Sequence, residues 1–265
     1  MTDSNNPIGV LDTGMGGLTV VKELRKLLPY ENIIYIGDSI NCPYGNKNKT
    51  EIKNLTINMF DFLKSQNIKV AAVACNTISS ALDEFSDIYD YKIKGIVIPA
   101  SNYVIENNIK NIGVFATSFT VNTGCYHDYL KSISPNINVI SKSSACLAAL
   151  IEQGDFSSQA MKEEIKSKIE EILSSEPDVR DIILACTHYP IVLDVFKKYF
   201  PNINFINPAF EQALSIKKFL EENNLLKQKG TGETKIFTTG STELVKNVTS
   251  KIGIQNNCLI QKVKL

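Results

Sequence analysis

At 265 residues the chain is long enough to bury a sizeable core, as one large domain or two smaller ones. Apolar residues make up 43% and charged residues 21%, and 28 Lys plus Arg balance 28 Asp plus Glu. That balance leaves no basic field for nucleic acid or an anionic membrane surface, and no acidic tail. With no signal pattern at the polar start and no apolar run long enough to cross a bilayer, a cytoplasmic protein is expected.

Six cysteines at irregular spacings do not form a disulfide framework, and free thiols are expected. Cys42, Cys125, Cys146 and Cys258 read as small buried hydrophobes. No metal is expected: there is no C-x-x-C pair and no H-E-x-x-H, and the chain holds only 2 histidines.

In chain order, Ile8-Gly9-Val10-Leu11 predicts a short strand, followed by the turn Asp12-Thr13-Gly14-Met15-Gly16-Gly17. Leu18, Val21, Leu24 and Leu28 then share a helical face that Pro29 ends. A glycine-rich turn of this kind brings backbone N–H groups close to an anion at a helix start. It is neither a dinucleotide loop nor a P-loop, since G-x-G-x-x-G and Gly-Lys-Ser/Thr are both absent. Asp12-Thr13-Gly14 occurs once, whereas aspartic proteases need two such aspartates sharing a proton. On this stretch alone, Asp12 reads equally as a helix cap or as a catalytic group.

A second strand over 32–36 ends in Gly37-Asp38-Ser39 and the loop Asn41-Cys42-Pro43-Tyr44-Gly45, a turn whose amides can face a carboxylate. Ile52, Leu55, Met59, Phe60 and Leu63 mark a helix face. A strand over 68–73 leads to Ala74-Cys75-Asn76-Thr77, and Ile78, Ala81, Leu82 and Phe85 mark the next helix. A further strand is expected over 95–98, closed by Pro99.

A second half begins near Ala100. Gly-Val-Phe-Ala-Thr at 113–117 answers Gly-Val-Leu-Asp-Thr at 9–13, and Ala-Cys-Thr-His at 185–188 answers Ala-Cys-Asn-Thr at 74–77. This faint repeat suggests duplicated α/β lobes. Helical patterns hold Leu147, Leu150, Ile151 and Glu152, then a charged helix over 157–173. After Cys186, Val192, Val195, Phe196 and Phe200 mark a helix, 202–206 a strand, and 208–220 another helix. A polar linker over 227–233 precedes strands at 235–237 and 258–260 around one helix, a tail expected to pack back on the first lobe.

The fold class expected is therefore α/β: two similar lobes, each a mostly parallel sheet flanked by helices, with the active site in the cleft between them. The lobes are residues 1–99 with 208–265, and residues 100–207. Cys75 and Cys186 each end a buried strand where it enters a helix, the edge at which open α/β sheets bind ligands. Two thiols in the same setting, far apart in sequence, suggest two halves facing one pocket.

The runs Asp12-Thr13-Gly14-x-Gly16-Gly17, Gly37-Asp38 through Pro43-Tyr44-Gly45, Ala74-Cys75-Asn76-Thr77 and Cys186-Thr187-His188-Tyr189-Pro190 resemble the bacterial glutamate racemases, of the cofactor-independent aspartate/glutamate racemase family. The segment 113–121 and Thr238-Thr239-Gly240 extend the resemblance in order across nearly the whole chain. Thr13 stands where serine is common, and Ile78 where alanine is usual.

The resemblance implies interconversion of L- and D-glutamate without a cofactor, supplying D-glutamate for peptidoglycan, by a homodimer whose only partner besides itself is its small substrate. It implies that Cys75 takes the proton from D-glutamate and Cys186 from L-glutamate, aided by Asp12 and His188 respectively. Glu152 is a partner for His188 or a plain surface charge. Asp12, Thr13, Pro43, Tyr44, Gly45, Asn76, Thr77, Thr117, Thr120, Thr187 and His188 would hold the substrate. Three readings compete: an aspartate or broad-specificity racemase, a hydrolase or amidotransferase using one cysteine as nucleophile, which leaves the second thiol unexplained, and a non-catalytic amino-acid-binding protein with an idle site.

Overall fold

The computed structural model describes residues 3–82, 88–254 and 258–265. Two sheets organise them. In the first, β1 (Ile8–Asp12) lies between β2 (Ile33–Gly37) and β3 (Val70–Val73). Outside β3 lies β4 (Lys92–Gly95), and outside β2 lie β9 (Thr234–Thr238) and then β10 (Cys258–Lys262). The second sheet runs β6 (Asn138–Ser144), β5 (Asn111–Thr117), β7 (Asp181–Ala185) and β8 (Asn204–Ile206). All pairings among these strands are parallel. Strands β1, β2 and β3 are buried along their whole length, so they read as unbroken apolar runs and not as an alternation.

The helices follow the strands. They are α1 (Leu18–Leu27), α2 (Lys49–Ser65), α3 (Asn76–Ser79), α4 (Val97–Glu106), α5 (Ser118–Asn122) and α6 (Cys125–Ile133). The series continues with α7 (Leu147–Glu152), α8 (Gln159–Ser175), α9 (Leu193–Tyr199), α10 (Pro208–Glu222) and α11 (Thr242–Ile252). The charged helix α8 shows how these faces form. Met161, Ile165, Ile169 and Ile172 recur on one face and are fully buried, each worth roughly 1.5–3 kcal/mol of transfer free energy. Its lysines and glutamates occupy the solvent side.

Strand order decides where a site can form. From β1 the chain moves outward to β2, then returns to place β3 on the other side of β1. It does the same in the second sheet, from β5 to β6 and back to β7. At the carboxyl ends of β1/β3 and β5/β7 the following loops diverge in opposite directions and leave a crevice. The two members of the faint sequence repeat occupy these equivalent places. The expected class of fold, two α/β lobes with parallel sheets, is thus present, and β9 pairs with β2 from Ile33↔Thr234 to Gly37↔Thr238 as the returning tail requires.

Some expectations fail. The strand expected over 95–98 is instead β4, three residues earlier, followed by α4, with Pro99 inside the helix's first turn. Proline is tolerated there because the first N–H groups of a helix have no partner within it. The join expected between residues 99 and 100 falls inside α4, which packs on both α6 and α10. Helix α3 is a single turn among the described residues, and Phe85 lies outside them. The run after Cys186 begins as a 3-10 turn, Tyr189–Val192, before α9. Strand β6 was not foreseen, since only its last residue is fully buried.

Far from the crevice, Lys69 is buried at the opposite end of the first sheet. Its Nζ donates to Glu31 Oε2 at 2.6 Å and to the carbonyls of Ser4 at 2.7 Å and Leu225 at 2.8 Å. Glu31 Oε1 also accepts the Lys227 N–H at 2.8 Å, so one ion pair ties four chain segments together. A buried pair broken on one side leaves an unmatched charge, a cost of about 3–5 kcal/mol. Lys69→Met should lower the denaturation midpoint accordingly, and K69M/E31Q should lose less than K69M. Equal or greater loss in the double variant would contradict this account.

Candidate active site

The crevice is built from loops of both sheets. Thr13, Cys42, Pro43, Tyr44, Gly45, Cys75, Asn76, Thr77, Thr117, Ala148, Cys186, Thr187 and His188 line one narrow cavity. Cys75 follows β3 of the first sheet and Cys186 follows β7 of the second, so the two thiols reach the same space from different halves of the fold.

The glycine turn after β1 brings the halves together. A Cβ on Gly16 would stand 2.5 Å from Thr187 Oγ1 and 2.7 Å from the His188 nitrogen, and one on Gly14 would run into the Glu152 carboxylate. Only glycine permits so close an approach of backbone to a neighbouring loop. The turn's N–H groups do meet anions, but these are the protein's own. Asp12 Oδ2 accepts from Gly17 at 2.9 Å and Gly14 at 3.3 Å, and Glu152 Oε2 accepts from Met15 at 2.9 Å. Asp12 also accepts the Thr187 hydroxyl at 3.1 and 3.3 Å, which links β1 to the Cys186 loop.

The two thiols have different neighbours. Cys75 Sγ lies 3.8 Å from the Thr13 hydroxyl. Burial, then the charge of Asp12, pushes the Cys75 thiol well above the ordinary thiol range, so it rests protonated. Cys186 Sγ lies 3.8 Å from His188 Nδ1, and His188 Nε2 contacts Glu152 Oε2 at 2.6 Å. Burial by itself would depress the imidazole. Contacts with Cys186, Cys42 and Glu152 outweigh it and hold His188 well above its usual value. Asp12 is fully buried and raised by burial, with His188 opposing.

The remaining lining is polar and mostly anchored. Thr77 and Thr117 hydroxyls are 3.0 Å apart, and Thr117 and Thr120 hydroxyls 3.1 Å. Asn76 Oδ1 accepts the Tyr126 hydroxyl at 2.6 Å, while its buried Nδ2 has no hydrogen-bond partner among the described residues. That leaves one amide donor uncommitted in the cavity wall.

Of the residues singled out in the sequence, Asp12, Thr120 and Glu152 stand behind the lining residues, touching Thr187, Thr117 and His188 respectively. The other eleven face the cavity. Cys42 corrects the reading of it as a plain small hydrophobe: it lines the cavity and contacts His188. Its thiol is pushed up to about 11 by burial, with His188 opposing. Its place in Cys-Pro-Tyr-Gly, next to three residues of the site, is the signal the sequence offers. Asp38 stands out in the sequence only as part of a motif. It is a buried hub accepting from Tyr44 at 2.6 Å, Asn41 at 2.9 Å and Thr239 at 2.8 Å, and so holds the Tyr44 turn. Ala148 had no signal at all.

A family model described as Asp/Glu/hydantoin racemase matches residues 8–212, a span that includes both cysteine loops. The chain belongs to that family. It is an amino-acid racemase, an isomerase, and the resemblance read from its motifs holds at this level. It is 36% identical over 243 residues to glutamate racemase 1 of Caldanaerobacter subterraneus subsp. tengcongensis, covering 91% of this chain and 90% of that protein. Its fold matches a crystal structure of a Bacillus anthracis glutamate racemase isoform with a TM-score of 0.90 at 29% identity, covering 99% and 98% of the two chains. A second match is Francisella tularensis glutamate racemase in complex with D-glutamate, with a TM-score of 0.88, 30% identity and 98% of each chain covered.

In this racemase the raised His188 value has a definite sign. Its stabilising contribution is complete below the unfolded value of about 6.5 and is lost as pH rises through the higher folded value. Glu152→Gln should lower the His188 titration seen by NMR, in a spectrum with only 2 histidines. It should cost about 1.5–3 kcal/mol of stability near neutral pH, a gap that narrows in alkali. A titration that stays where it was would leave Cys186 and Cys42 as the groups that raise it.

Proposed function

We propose that the chain interconverts L- and D-glutamate, with Cys75 and Cys186 as the two acid/bases on opposite faces of the substrate's Cα. The observation carrying this reading is that two thiols from two separate sheets line one small cavity. A hydrolase reading uses one sulfur and leaves the other without work.

Inversion at Cα removes a proton from one face and returns one to the other, which a single base cannot do to a held substrate. One sulfur must begin as thiolate and the other as thiol. The environments differ in that sense. Cys75 is held as a thiol by burial. A proton on His188, 3.8 Å from Cys186 Sγ, offsets negative charge on that sulfur. For L-glutamate, the Cα–H bond breaks toward Cys186 and its electron pair stays on carbon, and Cys75 then gives its proton to the opposite face. The product leaves the two sulfurs with exchanged protonation, ready for the reverse reaction or for re-equilibration through His188, Asp12 and water.

Thr13, Tyr44, Gly45, Asn76, Thr77, Thr117 and Thr187 would hold the ammonium and the two carboxylates, with Pro43 shaping the turn and Thr120 steadying Thr117. The unpaired Asn76 Nδ2 is suited to a carboxylate oxygen. Aligned hydroxyl and amide dipoles stabilise charge developing on the substrate carboxylate as the proton leaves. The scheme uses no cofactor. Glutamate is favoured over aspartate by the glutamate racemases the chain resembles and by the D-glutamate bound to the Francisella protein. By the same resemblance the enzyme works in the cytoplasm, as a homodimer, supplying D-glutamate for peptidoglycan.

Incubation with L-glutamate in deuterated water should yield D-glutamate carrying deuterium at Cα, whereas L-aspartate should react far more slowly and glutamine should release no ammonia. Cys75→Ala and Cys186→Ala should each slow racemisation by about 10²–10⁴-fold or more, the contribution of a positioned acid/base. Full turnover in either variant would remove that sulfur from the mechanism.

A further inference from the structure

Cys42, Glu152 and His188 come from three elements: the loop after β2, the end of α7 and the loop after β7. Their ligating atoms, a thiol sulfur, a carboxylate oxygen and an imidazole nitrogen, all lie within 4.8 Å of one another. No other group of three or more such side chains among the described residues meets that condition. We propose that these three side chains form a binding site for a soft-to-borderline divalent cation such as Zn²⁺, and that its occupancy switches the racemase off.

The donor set suits zinc. Sulfur, nitrogen and carboxylate oxygen are the three ligand types Zn²⁺ takes, and three protein ligands leave one position for water. The surroundings also resemble those of a working metal site, where outer hydrogen bonds orient the ligands. The Met15 N–H holds Glu152 Oε2 at 2.9 Å, and His188 Nδ1 faces Cys186 at 3.8 Å, leaving Nε2 on the Glu152 side. Coordination would replace the proton now shared by Nε2 and Oε2 at 2.6 Å, and would displace the Cys42 thiol proton; both protons go to solvent.

There is also a route in. A second, larger cavity of about 300 Å³ is lined by Met15, Cys42, Pro43, Glu152 and Gly240, among others. Cys42 and Pro43 line both cavities, and Glu152 lines only the second. Cys42 and Glu152 thus face the second cavity, and His188, which lines the first, stands behind them, so a cation entering from the second meets two donors without crossing the substrate's space. The sequence hides this site because its ligands follow no short spacing pattern.

The inhibitory half of the proposal rests on the reading that His188 serves Cys186, since a metal on Nε2 would cut the ring off from Glu152 and fix its remaining proton. The binding half does not depend on that reading, and the two are tested separately. Cobalt(II), which reports thiolate ligation by charge-transfer absorption, should bind the thiol-reduced wild-type enzyme once per chain. It should give the same band in Cys75→Ala and Cys186→Ala, and no band in Cys42→Ser. Glu152→Gln should weaken cobalt binding by at least about tenfold. No band in wild type, or a band that survives in Cys42→Ser, would overturn the site. Zinc should inhibit the wild-type enzyme, and Cys42→Ser, compared with its own zinc-free rate, should need at least about tenfold more zinc. Metal binding with undiminished racemisation would refute the switch alone and leave the site standing.

Discussion

The carboxylate of Asp12 is the point on which the two halves of the molecule are tied. It sits at the end of the central strand of the first sheet, fully buried, and accepts two N–H groups from its own loop and a hydroxyl from the loop of the second. A buried carboxylate without such donors would cost several kcal/mol. Its need for partners therefore holds the glycine turn and the Thr187 hydroxyl in one arrangement. Glu152 repeats the device nearby, taking a turn N–H on one side and the His188 ring on the other. The glycines are part of the same constraint, because a side chain at Gly14 or Gly16 would push the halves apart.

Closure of this kind gives a crevice whose walls come from two sheets with the same local design and different chemistry. Each wall presents a thiol at the end of a buried strand, followed by a residue with a short polar side chain. The first wall surrounds its thiol with a hydroxyl and a carboxylate, the second with an imidazole backed by a carboxylate. Negative charge on the second thiol would have an imidazole beside it, and on the first a carboxylate, while the geometry stays nearly symmetric. A racemase must serve both hands of its substrate, and nearly symmetric walls with unlike neighbours suit that demand.

The long buried strands and the amphipathic helices were legible because their signals are local. Apolar runs such as Ile8-Gly9-Val10-Leu11 and the recurring Met161, Ile165, Ile169 and Ile172 encode burial within a few residues of themselves. Errors gathered where the local signal was shared between states. Ile96, Val97 and Ile98 fit a strand or a buried helix equally, and Pro99 reads as a stop although it also suits a first helical turn. Strand β6 was missed because an edge strand with several polar residues lacks an apolar run.

The site divides in the same way. The sequence by itself determined the two cysteine loops, the glycine turn and the Pro-Tyr-Gly turn, because each pairs a strand end with residues whose chemistry is unusual for a bare connection. Tertiary structure alone decided what stands beside what. That Cys42 touches His188, that Glu152 holds both Met15 and His188, and that Thr239 donates to Asp38 follow from the packing of separate elements. The physical reason is range. Backbone periodicity and turn chemistry act over a few residues and are written in order along the chain, whereas burial, charge pairing and close approach depend on distances set only when the two sheets meet.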